Sequence, residues 1–290
     1  MSSHAKGLLI AALAVLFITP DTLLIRLGGQ EYGVTLFWRS LFTAVGLSLL
    51  IIAMNGRRTV QRIKALGRPG LLVALLFSLS NLTFLAAVQI TTVANTLVII
   101  SSAPVFAALI GRAFLHERVP VRMWITTTIV ITAIGFIFAD GLGGVKWWGN
   151  LCALISALTL AITFTMTRHA DDIDMTPALA GSSLISMVIA FFLATSVIVP
   201  STTLVIFAIL GGFLTLAFTL LFIAPRYIPA AEVSLIMPLE TVFGTGLVWI
   251  VIGEEPSLRA IIGGSAIIVA LTVNSVIGIH QNRIVSERPV

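Results

Sequence analysis

The sequence predicts an all-α membrane protein: ten transmembrane helices arranged as a 5+5 inverted-topology repeat. Three observations predict it. Of 290 residues, 58% are hydrophobic and only 10% are charged. The charges gather in short clusters separated by apolar runs of about 20 residues, the length that crosses a ~30 Å hydrocarbon core as a helix. The second half of the chain also echoes the first.

The apolar runs are 6–25, 35–54, 70–89, 93–115, 121–139, 146–167, 177–199, 202–224, 231–252 and 258–280. Span 1 begins at Lys6 in the manner of a secretory leader. No small-x-small cleavage site follows and Pro20-Asp21 is a poor substitute, so it reads as a retained helix. Span 2 starts at Phe37-Trp38-Arg39 and runs out into a basic stretch, Arg57 to Arg68. Span 3 carries Asn81 near its middle, with Ser78, Ser80 and Thr83 around it. Span 4 ends at Leu115-His116-Glu117, and span 5 follows with Arg122 at its start. Span 6 contains Cys152, the single cysteine, which forms no disulfide within the chain. Asp171-Asp172-Ile173-Asp174 reads as a solvated loop ahead of spans 7 and 8. Span 9 holds Pro238 and Glu240, and spans 9 and 10 carry Gly244, Gly246, Gly263 and Gly264, small residues that let helices approach.

Each lipid-embedded span must satisfy its own backbone hydrogen bonds, which makes these helices. Porin-like strands would be about 10 residues long and would alternate apolar with polar; these runs do neither. The short loops leave no room for a soluble domain. The chain reads as one integral membrane domain whose repeats cover 1–145 and 146–290.

Ten spans put both termini on one side. With that side as the cytoplasm, its segments hold Lys6, the five basic residues from Arg57 to Arg68, Arg112, Arg118, Arg122, Arg168, Arg226, Arg283 and Arg288, which is 13 of the 17 Lys and Arg. Such a bias places the N- and C-termini in the cytoplasm of a bacterial-type inner (plasma) membrane. The five Trp and two Tyr fall near helix ends, as an interfacial belt requires. The net charge of +5 therefore reflects topology, and no nucleic-acid surface is expected.

Gly7 to Arg26 lies over Gly149 to Arg168 at one offset. Ala87, Ala94, Ile99, Val105, Phe106, Glu117 and Arg122 lie over Ala224, Ala231, Ile236, Val242, Phe243, Glu254 and Arg259 at another. Five spans per copy is an odd number, so the copies cross the membrane in opposite directions. Inverted repeats of this kind let a central site open first to one side and then to the other.

On these features the chain resembles the EamA type of the drug/metabolite transporter superfamily. The resemblance rests on ten spans in 290 residues and on the acidic ends of spans 4 and 9, Leu115-His116-Glu117 and Ile252-Gly253-Glu254. It also rests on Met237-Pro238-Leu239-Glu240-Thr241-Val242, on Tyr227-Ile228-Pro229-Ala230-Ala231 and on Phe37-Trp38-Arg39. It implies a secondary carrier of small metabolites, often an exporter, with a central cavity lined by both halves. It does not imply a substrate. Thr19-Pro20-Asp21 departs from the family, whose span 1 often has its small polar stretch nearer the middle.

An ionisable group inside the membrane costs roughly 2.5–3.5 kcal/mol on insertion scales. Glu240 lies mid-span, where desolvation disfavours a carboxylate's charged form and suits it to proton coupling or cation contact; a structural Glu bonded to a neighbouring helix is the alternative. Asp21 and Arg39 sit at similar depth on adjacent antiparallel spans. They read either as a structural ion pair or as a gate that substrate disrupts. Arg26, closer to the surface, reads as a snorkelling anchor. Asn81 is a substrate contact or interhelical glue. Trp38 and Asn95 are weaker substrate candidates toward the outer ends. Glu117 and Glu254, followed by Arg122 and Arg259, read as structural ion pairs, and so do Arg226 and Glu232.

The rival classes are a membrane enzyme and a channel or scaffold subunit. His4, His116, His169 and His280 all lie at helix ends or in a tail, without metal-ligand spacing. No phosphate-binding Gly-rich Lys-Ser/Thr loop is present. The expected partners are a small-molecule substrate, protons and the lipid bilayer, in a monomer or homodimer, with no metal and no cofactor. Amino acids, other zwitterions and organic cations suit the candidate residues equally.

Overall fold

A computed structural model describes residues 3–115, 120–139, 144–169, 174–224, 227 and 238–286. All the regular elements among these residues are helical. Span 1 is α1 (Ser3–Ile18) and α2 (Asp21–Gly28); span 2 is α3 (Tyr32–Asn55), followed by the short α4 (Thr59–Ala65). Span 3 is α5 (Gly67–Ile90), and span 4 is α6 (Val93–Ile100) plus α7 (Ala103–Leu115). Spans 5 to 8 are α8 (Val121–Phe138), α9 (Val145–His169), α10 (Thr176–Leu193) and α11 (Ser201–Ile223). The described part of span 9 is α12 (Pro238–Ile252), and span 10 is α13 (Leu258–Ser286). Nine of these segments are long and apolar enough to cross a membrane, and α12 is a shorter apolar helix.

The two broken spans correct the expectation of continuous helices. At Thr19-Pro20 the proline has no N–H to donate and its ring crowds the turn before it. The Thr19 hydroxyl donates to the Val15 carbonyl at 2.7 Å, and a new helix starts at Asp21. At Ser101-Ser102, just ahead of Pro104, the hydroxyls donate to the carbonyls of Val98 and Ile99. Freed backbone groups are thus satisfied locally, as lipid demands. Span 7 is also shorter than expected, its helix ending at Leu193.

Nearly all the extensive packing runs between the two halves. Span 3 lies along span 6 and span 1 along span 8; span 2 packs on spans 7 and 8, and span 3 on span 7. Span 5 packs on span 10 and span 4 on span 9. Exchanging each span n with n+5 maps these contacts onto one another, as a pseudo-twofold axis in the membrane plane requires; span 4 packs also on spans 6 and 10, and span 1 on span 9, the image of the first of these. Two loop contacts follow the same rule. Glu31, between spans 1 and 2, accepts from the Thr195 amide and hydroxyl, between spans 7 and 8, at 2.8 and 2.7 Å. On the opposite face Asp174, between spans 6 and 7, is paired with Arg62, between spans 2 and 3.

The Thr195 amide, and then its hydroxyl, hold the Glu31 carboxyl below the usual carboxylate range. A lowered value contributes stability above the unfolded pKa and loses it as pH falls through the folded one. Glu31→Gln is therefore expected to lower the thermal midpoint slightly at pH 7. The gap from wild type should close in acid, below the ordinary Glu value of about 4.3, in paired melts across pH.

Small residues sit where helices touch. A Cβ on Gly33 would lie 2.6 Å from the Ala194 backbone nitrogen, and one on Gly264 would lie 2.7 Å from Val98 Cγ2. Gly244 and Gly263 abut Leu97 and Ile137, so these glycines pack within one chain, whereas Gly246 faces open space. Gly33→Ala should cost about 1–3 kcal/mol by overpacking, while Gly246→Ala should be nearly silent. Equal losses for the two in a thermal melt would contradict this packing.

Candidate functional site

Both helix breaks face one cavity near mid-depth, of about 130 Å³. Ile18 and Asp21 come from the span 1 break, Ile100, Ser101, Ala103 and Pro104 from the span 4 break, and Pro238 and Glu240 from the start of α12. The remaining wall is largely aromatic and aliphatic, with Phe77, Phe84, Phe164 and Phe218 prominent. Interrupted helices bring irregular backbone to a protein-lined space, the place where a membrane protein tolerates it.

One polar wall is an ordered set. Asp21 lies in the first turn of α2, where the helix dipole favours a carboxylate. Arg39, one helix over on α3, grips it with both arms: Nε donates to Oδ1 at 3.0 Å and Nη2 to Oδ2 at 2.7 Å. Both residues are at least 95% buried. The third arm, Nη1, donates to Asn81 Oδ1 at 3.3 Å, and Asn81 Nδ2 donates to its own helix at Phe77 O. The guanidinium also stands 5.5 Å from the centre of the Phe84 ring. The fork geometry of Arg is needed for this; a Lys would meet one oxygen at a time. Beside Asn81, the Ser80 and Ser156 hydroxyls meet at 3.0 Å and join spans 3 and 6.

Glu240 faces this set from span 9 and carries no hydrogen bond or ion pair among the described residues. Asp21 and Arg39 neutralise each other, which leaves Glu240 as the remaining ionisable group among the described residues of the lining. Leu97 lines the cavity and abuts Gly244 of α12, while the Thr241 hydroxyl donates to its carbonyl at 3.4 Å.

The other candidates lie elsewhere. Trp38 stacks on Phe42 and donates its indole N–H to Val197 O at 3.0 Å, tying span 2 to the loop after span 7, away from the cavity lining. Asn95 is buried one turn into α6, where its amide donates to Asn150 Oδ1 at 3.3 Å. Thr91 donates to the same oxygen at 2.9 Å.

This second cluster continues into a contact the sequence did not indicate. Arg26, expected to be a lone anchor, pairs with Glu254 at 3.0 Å and donates to Thr91 O at 3.0 Å. Glu254 also caps α6, accepting from Val93 N at 2.7 Å. The basic partner of Glu254 thus comes from span 1. Arg259 stands 5.7 Å over the Phe136 ring, and Arg122 lies in the first turn of α8. Glu117, with Arg226 and Glu232, lies outside the described residues. The Arg26–Glu254 network ties spans 1, 4 and 6 to the 9–10 loop on the face opposite the termini. No group of three metal-ligating side chains occurs among the described residues.

A family model described as the EamA-like transporter family matches the chain twice, over residues 5–139 and 147–276. No curated protein matches it. Among solved structures, a crystal structure described only as that of a protein superimposes with a TM-score of 0.66 at 16% identity. The match covers 94% of this chain and 98% of the other, and at that identity it speaks for the fold alone.

Proposed function

Because this chain belongs to the EamA-like transporter family and is an integral membrane transporter of the drug/metabolite superfamily, we propose that it is a secondary active carrier. In this reading it exchanges a small organic solute for a proton by alternating access at the cavity between its two repeats. The observation that carries the proposal is the Glu240 carboxylate, without a partner among the described residues, facing a wall whose other charges cancel. A site with one surplus negative charge in a low-dielectric place takes up one positive charge, either a proton or the cationic group of a solute. The two compete for the same carboxylate, and competition for one site is the elementary form of exchange. Phe77, Phe84, Phe164 and Phe218 would receive the apolar body of the solute, and Ser80, Ser101 and Asn81 its hydrogen-bonding groups. Organic amines and amino acids both fit this description. The closed Arg26–Glu254 network would form the gate on the face opposite the termini.

The distribution of Lys and Arg supports a bacterial-type inner or plasma membrane with both termini in the cytoplasm. The test of function is uptake into proteoliposomes with an imposed pH gradient, using pooled labelled amines and amino acids. Accumulation driven by an acidic lumen, abolished by collapsing the gradient, is the expected result. Uptake that only equilibrates, with the gradient intact, would mark a channel or uniporter instead.

A further inference from the structure

Beyond transport, we propose that the segment joining spans 2 and 3 is a docking site for anionic phospholipid headgroups of the leaflet nearest the termini. The α3 helix from Tyr32 to Asn55 is 24 residues long, about 36 Å at 1.5 Å per residue, which already crosses the ~30 Å core. The residues that follow it therefore lie at headgroup level. Positive-φ glycines, Gly56 (φ 52°) and Gly67 (φ 52°), bracket α4 and separate it from the helices on either side.

Arg57, Arg58, Arg62 and Lys64 fall within this segment and Arg68 follows it, and all five are exposed. At 100° per residue, α4 puts Arg62 on one face, where it pairs with Asp174. Val60 and Ile63, 60% and 52% exposed, share the other face with Lys64, and Arg57 stands just before the helix. Neither Arg57 nor Lys64 has a carboxylate partner among the described residues, and nor does Arg68 just beyond. Two apolar side chains beside exposed cations suit an acyl-chain and glycerol region below an anionic phosphate. Arg presents a fork that matches phosphate oxygens. Each basic charge near an anionic surface is worth about fivefold in binding.

The test uses the purified full chain, titrated with phosphatidylglycerol or phosphatidylcholine in detergent and read by native mass spectrometry. Wild type should retain phosphatidylglycerol in preference. Arg57→Gln/Lys64→Gln/Arg68→Gln should lower that retention at least tenfold at an unchanged thermal midpoint, since all three side chains are exposed. Val60→Ser/Ile63→Ser, which keeps the charge, should weaken it as well. Unchanged preference in the triple variant would overturn the site. Loss in the triple variant without any effect of the Val60/Ile63 pair would overturn it too, because diffuse attraction of the leaflet would then suffice.

Discussion

Glu240→Gln should reduce gradient-driven accumulation to simple equilibration while leaving the protein folded. A pH difference of one unit is worth about 1.4 kcal/mol, so one-for-one exchange supports up to about tenfold accumulation of a monovalent cation. The Gln side chain is nearly isosteric with Glu but can neither release a proton nor neutralise a cation, so the ratio in the variant should fall to about one. Folding should survive, because Glu240 holds no ion pair among the described residues that its loss would break. Glu240→Asp keeps the charge on a shorter arm and should retain coupled transport at a raised KM. Normal accumulation by Glu240→Gln at every pH would make this carboxylate structural and remove the basis of the exchange mechanism.

The second large effect belongs to Asp21 and Arg39. Arg39→Met leaves the Asp21 carboxylate at 4% exposure without its counterion. Removing one member of a buried pair costs about 3–5 kcal/mol, much of it the penalty on the survivor. Asp21→Asn/Arg39→Met removes both charges and should regain most of that stability, because the intact pair spends much of its attraction on desolvation. Transport should not return with it, since the double variant lacks the bidentate clamp and the Arg39–Asn81 hydrogen bond that order the wall Glu240 faces. Thermal unfolding in detergent separates the cases; equal midpoints for the single and double variants would show that no buried charge was stranded.

The ten spans were readable because length and the near-absence of charge identify a membrane helix whatever its neighbours do. The Asp21–Arg39 contact was readable too, from opposite charges at matching depth on consecutive antiparallel spans. The helix breaks were visible only as ingredients: Pro20 and Pro104 are in the sequence, but span hydropathy says nothing of where the ladder of hydrogen bonds stops. The Arg26–Glu254 pair could not be found, since its members stand 228 positions apart and only the packing of span 1 against span 9 joins them. Placing Trp38 and Asn95 was harder still. These spans are apolar all round, so their pattern does not mark the inward face. Both residues lie near the outer ends, where a donor finds a loop carbonyl or a second amide as readily as a substrate.

The packing that crosses from one repeat to the other leaves neither half with a core of its own. The chain can thus be divided in sequence near residue 145 but not in space. Two fragments cut there should accumulate only when made together, each serving as the template on which the other is retained. In the proposed carrier the same surfaces would also slide past one another as the cavity changes sides. Cohesion and turnover then draw on one set of contacts, and a substitution that tightens span 2 against span 7 should raise the melting temperature and slow the cycle together.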